Sequence, residues 1–198
     1  FKMLNEHPDA EVWNLEGRHI MAGGIDAHVH FREPGLTHKA DMQTESRAAV
    51  AGGVTTVFDM PNTNPATVTA EALKGKMDLA EGRALTRIGF HIGATNSNAD
   101  MICSLVKEGD ASWGVKADDI PGVKVFMGSS TGNMLVDKGD SLDRLFDIKE
   151  KPILVHCEDE ETIKANLAAA IEKYGEDIPF AEHENIRSRR ACIKSSIK

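Results

Sequence analysis

Short apolar, β-branched runs alternate with longer amphipathic ones along the chain. The short runs predict strands at residues 24–30, 54–60, 88–94, 122–127 and 152–157. Between them, helical spacing predicts helices over 41–51, 69–84, 99–107, 141–149 and 160–174, with another from 183 to the end. The strands recur about every 30 residues, the size of one βα unit, and several are apolar on both faces, as a buried parallel sheet requires. The fold class is therefore α/β. Val68, Ala72, Leu73, Met77, Ala80 and Ala84 fall on one helical stripe and read as core packed on the sheet. Gly52-Gly53 and Gly82 stand where helix C-terminal caps occur. An open doubly wound sheet and part of an eight-stranded barrel both accommodate this alternation. Periodicity leaves that choice open, but in both architectures ligands gather at the carboxyl ends of the strands.

Composition narrows the partners. The 198 residues are 41% hydrophobic and 27% charged, which excludes disorder, collagen and coiled coil. Against 31 acidic residues stand 23 lysines and arginines, a net charge of −8, so no basic face is expected to hold nucleic acid or an anionic membrane. Three cysteines without close spacing suggest neither a disulfide framework nor a zinc finger, and a reducing, cytoplasmic setting is expected. No run approaches the roughly 20 apolar residues of a membrane span, and no export signal is visible after Phe1.

Several strand positions carry chemistry. His28 and His30 end the first strand, and alternation sends both to one face, about 7 Å apart along the strand, where two imidazoles can chelate one metal ion. A pair merely hydrogen-bonded at a strand end is the bland alternative. Lys124 lies inside the apolar fourth strand, where an ammonium is costly to bury. Either that strand is an edge and the lysine reaches solvent, or the amine is neutral. A neutral amine can react with carbon dioxide to form a carbamate, an anion able to bridge two metal ions. His156 ends the fifth strand, so His28, His30, Lys124 and His156 can converge at one end of a sheet as a metal site. The other histidines, His7, His19, His38, His91 and His183, match no ligand position. Asp59 suggests a structural hydrogen-bonding role, and Cys157 should face away from His156 as packing. The polar stretch Gly128 to Asn133 reads either as a loop over the substrate or as an ordinary turn.

The run from Met21 to Gly35, containing Asp26-Ala27-His28-Val29-His30-Phe31-Arg32-Glu33-Pro34-Gly35, resembles the opening metal motif of the amidohydrolase superfamily in the form typical of dihydroorotases. Thr55 to Pro65, with Asp59-Met60-Pro61-Asn62-Thr63-Asn64-Pro65, is similar to that family's second-strand motif. The resemblance implies a distorted (β/α)8 barrel of the TIM type with two zinc ions, whose bridging hydroxide attacks the amide carbonyl of a six-membered ring. His28 and His30 would bind the more buried metal, carboxylated Lys124 would bridge, and His156 would bind the second. Arg32 and Asn62 would bind the ring carboxylate of the substrate, although Arg32 could instead pair with Glu33 or Asp41 at the surface.

The same resemblance leaves parts unaccounted for. A further histidine ligand and the aspartate that serves as proton shuttle are expected beyond Lys198, so no catalytic residue is assigned within this chain. Residues 1–22 are expected to be a remnant of a small N-terminal β-sandwich, with a strand around residues 11–14, and residues 23–198 the N-terminal part of the hydrolase barrel. The chain thus reads as a fragment. The activity implied is zinc-dependent interconversion of N-carbamoyl-L-aspartate and dihydroorotate in pyrimidine biosynthesis. An allantoinase, a hydantoinase and a catalytically inactive scaffold subunit are the alternatives. A small-molecule substrate, a homo-oligomer and association with a carbamoyltransferase are expected.

Overall fold

The computed structural model describes residues 5–128 and 133–197. Among the described residues, six short strands, β1 (Gly24–Val29), β2 (Val54–Asp59), β3 (Arg87–Phe90), β4 (Ile92–Gly93), β5 (Val123–Phe126) and β6 (Ile153–His156), are interspersed with helices. The helices are α1 (Met42–Ala51), α2 (Ala70–Ala80), α3 (Ala99–Glu108), α4 (Gly139–Phe146), α5 (Glu160–Tyr174), α6 (His183–Ile186) and α7 (Arg189–Ser196).

Every ladder between these strands is parallel, in two three-stranded sheets of order β1-β2-β3 and β4-β5-β6. Only His91 separates β3 from β4. Its N–H bonds Asp59 O on β2 at 3.0 Å, whereas the next N–H, of Ile92, bonds Gly122 O before β5 at 3.2 Å. The single strand expected over 88–94 is therefore broken where the backbone changes partner. Within each three-stranded sheet every strand neighbours its predecessor, and β3 runs on through His91 into β4, so chain order and spatial order coincide. A doubly wound sheet would reverse direction at a switch point; consecutive winding is the barrel pattern. The choice that periodicity leaves open is settled in favour of part of a (β/α)8 barrel.

Local chemistry sets the helix starts. Asp41 caps α1, its Oδ1 accepting from Gln43 N and Thr44 N, both at 2.8 Å, while Thr44 Oγ1 accepts from Asp41 N in return. Thr69 Oγ1 caps α2 by accepting from Ala72 N at 3.1 Å. The helix expected from residue 183 onward is two, because the chain leaves helical geometry at Arg187 and Ser188 caps a new start at Arg189.

The core lies between sheet and helices, where Val57, Ile92, Val123 and Val125 meet Met42, Leu73, Ile102 and Leu145. The predicted stripe packs inward through Leu73 and Ala80, with Met77 and Ala84 partly covered, although α2 itself stops at Ala80 with Glu81 as its cap, short of the expected 84. Lys76 is buried on that same side. Residues 5–23 contain no strand, and the sandwich strand expected near residues 11–14 is not formed. Its backbone has no ladder partner among the described residues, and Trp13 stays 74% exposed.

Candidate functional site

Between Asp26 and Val29, β1 spends one residue more than β2 does between Val57 and Asp59, so a bulge lies within the His-x-His stretch. Bulges re-aim side chains. The His28 and His30 ring centroids are 5.3 Å apart and tilted by 56°, closer than the roughly 7 Å that two regular strand residues span. Burial lowers the pKa of both imidazoles from its ordinary value. At His28 the Lys124 and His156 charges add to this against Asp26; at His30 Arg32 and His28 add to it against Asp59 and a hydrogen bond to Asn62. Lowered pKa values favour the neutral rings, whose lone pairs can ligate a cation.

Lys124 is only 2% exposed, on a strand whose four residues are all buried. It forms no ion pair among the described residues, and its Nζ lies 4.8 Å from the Phe126 ring centroid. Burial pushes its ammonium pKa below the ordinary value. The edge-strand alternative fails, because β5 is paired on both sides, with β4 and β6. On β6, His156 sits opposite Phe126, the two rings 5.9 Å apart.

The loops that hold these residues are braced by side chains that periodicity did not mark. Lys76 Nζ lies 2.7 Å from Asp59 Oδ2, both side chains inaccessible, and also donates to Met60 O at 2.8 Å. Asp59 Oδ1 accepts from Phe31 N at 2.8 Å, immediately after His30. The structural role expected of Asp59 is thus present. Glu33 accepts from Met42 N at 3.0 Å and from Arg83 Nη1 at 2.8 Å, so its carboxylate is committed to groups other than Arg32. Arg32 itself has φ 67°, a left-handed backbone that non-glycine residues rarely adopt. His91, assigned no role by its motif context, is buried and bonds through Nε2, at 3.1 Å, the carbonyl of Ala27, the residue that precedes His28.

A second brace follows β6. His156 Nε2 is 2.6 Å from Glu158 Oε2. Glu158 is buried and also accepts from Arg187 Nε at 2.8 Å and from Arg187 Nη2. Burial works to raise the Glu158 pKa, but the Arg187 and His156 bonds prevail and hold it below the ordinary value. Next to it, Asp159 Oδ2 accepts from Lys194 Nζ at 2.7 Å, and Asp159 N donates to Ala191 O at 3.1 Å. The acidic turn after β6 is thereby stapled to the 187–194 segment. Cys157 is half-buried, its Sγ 3.9 Å from Met127 Sδ, and so lies beside the core instead of within it.

His28 and His30 are thus brought together, with Lys124 and His156 within electrostatic reach of His28. Arg32 and Asn62 flank His30. Among the described residues no three His, Cys, Asp or Glu side chains close on one point as a metal-holding group. Residues 129–132 of the predicted polar loop lie outside the described residues. The donor chemistry nevertheless fits a divalent centre: two adjacent imidazoles with lowered pKa values, His28 within electrostatic reach of a buried amine that forms no ion pair among the described residues. Lys76 and Glu158 had a legible signal, a charged residue on an apolar stripe and an acid two residues past a strand-end histidine. The signal from His91 was its place between two small inward positions, Gly89 and Gly93.

Comparison with known proteins identifies the family and the fold. Residues 19–191 match the Amidohydrolase family. A dihydroorotase of Methanosarcina acetivorans is 32% identical over 189 residues, 94% of this chain and 37% of that protein. An allantoinase of Deinococcus radiodurans is 35% identical over 124 residues, 62% of this chain and 25% of that protein. The solved L-hydantoinase of Arthrobacter aurescens superposes with a TM-score of 0.74 at 26% identity, covering 88% of this chain and 37% of that one. The chain therefore spans well under half the length of the relatives it matches.

Proposed function

The chain belongs to the amidohydrolase family, and from that premise we propose that the protein is a zinc-dependent cyclic-amide hydrolase, a dihydroorotase interconverting N-carbamoyl-L-aspartate and dihydroorotate in pyrimidine biosynthesis. The observation that carries this is Lys124, a 2% exposed amine on a doubly paired strand, within electrostatic reach of His28 and without an acidic partner among the described residues. Burial favours its neutral form. That amine can add to carbon dioxide, forming an N–C bond and releasing one proton, and the resulting carbamate supplies the anion that two adjacent cations require.

His28 and His30 would hold the more buried zinc, carboxylated Lys124 would bridge, and His156 would hold the second. When bound, such ions supply Lewis acidity, lowering the pKa of water towards about 7 and polarising an amide carbonyl. The chain's own residues bind and orient the substrate. Arg32, its carboxylate neighbour Glu33 already taken by Arg83, offers a planar fork suited to a ring carboxylate. Asn62, beside His30, offers an amide to the same group. The proton-shuttle aspartate and the remaining histidine ligand are proposed for the part of the protein beyond Lys198, and residues 1–22 for a neighbouring β-sandwich.

The match to an allantoinase favours a second reading, a related cyclic amidase acting on a substrate without a ring carboxylate. Arg32 discriminates, since such a substrate gives its guanidinium nothing to bind. Among the described residues no helix is long and apolar enough to cross a membrane. A cytoplasmic homo-oligomer, with a carbamoyltransferase partner, completes the proposal.

The test is metal analysis of the full-length protein together with assays on dihydroorotate, allantoin and hydantoin. About two zinc ions per chain and turnover of dihydroorotate are expected, with activity lost on chelation and regained with zinc. Preferential turnover of allantoin or hydantoin would move the assignment to the second reading. A protein that holds no metal would be a scaffold.

A further inference from the structure

The turn after β6 contains more acid–base pairing than a loop needs to end a strand. His156 Nε2 lies 2.6 Å from Glu158 Oε2, and Glu158 is only 8% exposed, with Arg187 bound to both of its carboxylate oxygens. A carboxylate held between a guanidinium and an imidazole is ionised and accepts hydrogen bonds from both. The ring nitrogen facing it must then carry the proton. A histidine nitrogen that donates a hydrogen bond has no lone pair to give, so the partner nitrogen becomes the only one able to ligate a cation.

We infer that Glu158 is a positioning residue, buttressed by Arg187 from the α6–α7 junction, that fixes His156 as the Nε2–H tautomer and so assigns its Nδ1 to a metal ion. The inference rests on the proposed metal centre but reaches beyond it, to a side chain 29 positions away in sequence that ligates nothing. Carboxylates and similar groups commonly lock metal-bound histidines in this way, and losing them costs about 10–100-fold in metal affinity. Arg187 leaves helical geometry at φ −91°, ψ 63°, between α6 and α7, so the break in the last helix is what lets its guanidinium reach back to Glu158. Lys194 bonds the adjacent Asp159 and not Glu158, which makes it a natural control for simple stapling of the same two segments.

In the full-length protein, zinc affinity is measured by competition with a chromophoric chelator for wild type, Glu158→Gln, Arg187→Met and Lys194→Met. The thermal midpoint of each apo form is recorded alongside. Glu158→Gln is expected to weaken one of two zinc equivalents by about 10–100-fold and leave the other unchanged, and Arg187→Met to weaken the same equivalent. Lys194→Met should lower the apo midpoint without that loss. Nitrogen-15 spectra of the metal-free wild type, taken where the imidazole is neutral, should show His156 protonated at Nε2. Equal zinc affinity in Glu158→Gln and wild type, equal loss in Arg187→Met and Lys194→Met, or an Nδ1–H tautomer would each overturn the assignment. Failure of the wild type itself to bind zinc would instead overturn the metal centre on which the inference rests.

Discussion

At the scale of single residues, buried charges decide most. Lys76 and Asp59 have no exposed side-chain surface and are 2.7 Å apart. Removing one partner strands the other in the interior, which costs about 3–5 kcal/mol, whereas replacing both can be nearly neutral. Lys76→Met should therefore destabilise the full-length protein by about that amount in urea titrations, and Lys76→Met combined with Asp59→Asn should recover part of the loss. Because Asp59 also receives the N–H of Phe31, the single variant should weaken zinc binding as well. His91 supplies a pH dependence. Burial outweighs the opposing bonds to Ala27 and Gly122 and lowers its pKa from the ordinary 6.5. The unfolded chain then binds more protons than the folded one below about pH 6.5, so the contribution is complete above that pH and is lost as pH falls towards the folded value. Stability measured from pH 8 down to 5 should decline less steeply in His91→Gln than in wild type. An identical slope in both would show that His91 does not titrate on unfolding.

At the scale of elements, caps and close approaches set where the strands deliver their side chains. Thr69 begins the helix that carries Lys76, and its hydroxyl accepts from Ala72 N. Thr69→Ala should cost about 1 kcal/mol, read as a shift in the urea midpoint without a change in slope. Gly128 lies in the turn after the strand that carries Lys124, and a Cβ there would lie 1.8 Å from Glu158 O. The turns after β5 and β6 thus touch backbone to backbone, and Gly128→Ala should separate them, lowering both the thermal midpoint and zinc affinity. Much at this scale was legible in sequence. Asp41 and Thr69 stand at the ends of apolar helical patterns, and α5 spans the residues its pattern predicts. The bulge at His28 and the break at His91 were not, because both arise from a strand meeting a neighbour whose register differs, and no local pattern encodes a neighbour's register.

At the scale of the whole molecule, the described sheet has two open margins. Ile25 on β1 is 68% exposed and Val155 on β6 is 42% exposed, and each margin offers unpaired backbone groups to other chains. Residues 1–198 expressed alone should therefore self-associate in light scattering and show no turnover of dihydroorotate. A monodisperse, active preparation would contradict the reading of these margins as incomplete. His28, on the exposed β1, should gain cover when the sheet is continued by the rest of the protein.

Taken alone, the amino-acid sequence determined the alternation of strand and helix, the residue types that can bind a cation, and the motif resemblance that joined them. These depend on short-range periodicity and on local chemical identity, which a linear text contains. Tertiary structure decided the consecutive strand order that separates a barrel from a doubly wound sheet, and the burial of Lys124 on a strand paired on both sides. It also decided the partners Lys76–Asp59 and Arg187–Glu158. Each of these depends on which distant segments lie side by side, and the free energy that selects that arrangement is a sum over contacts between residues far apart in the chain.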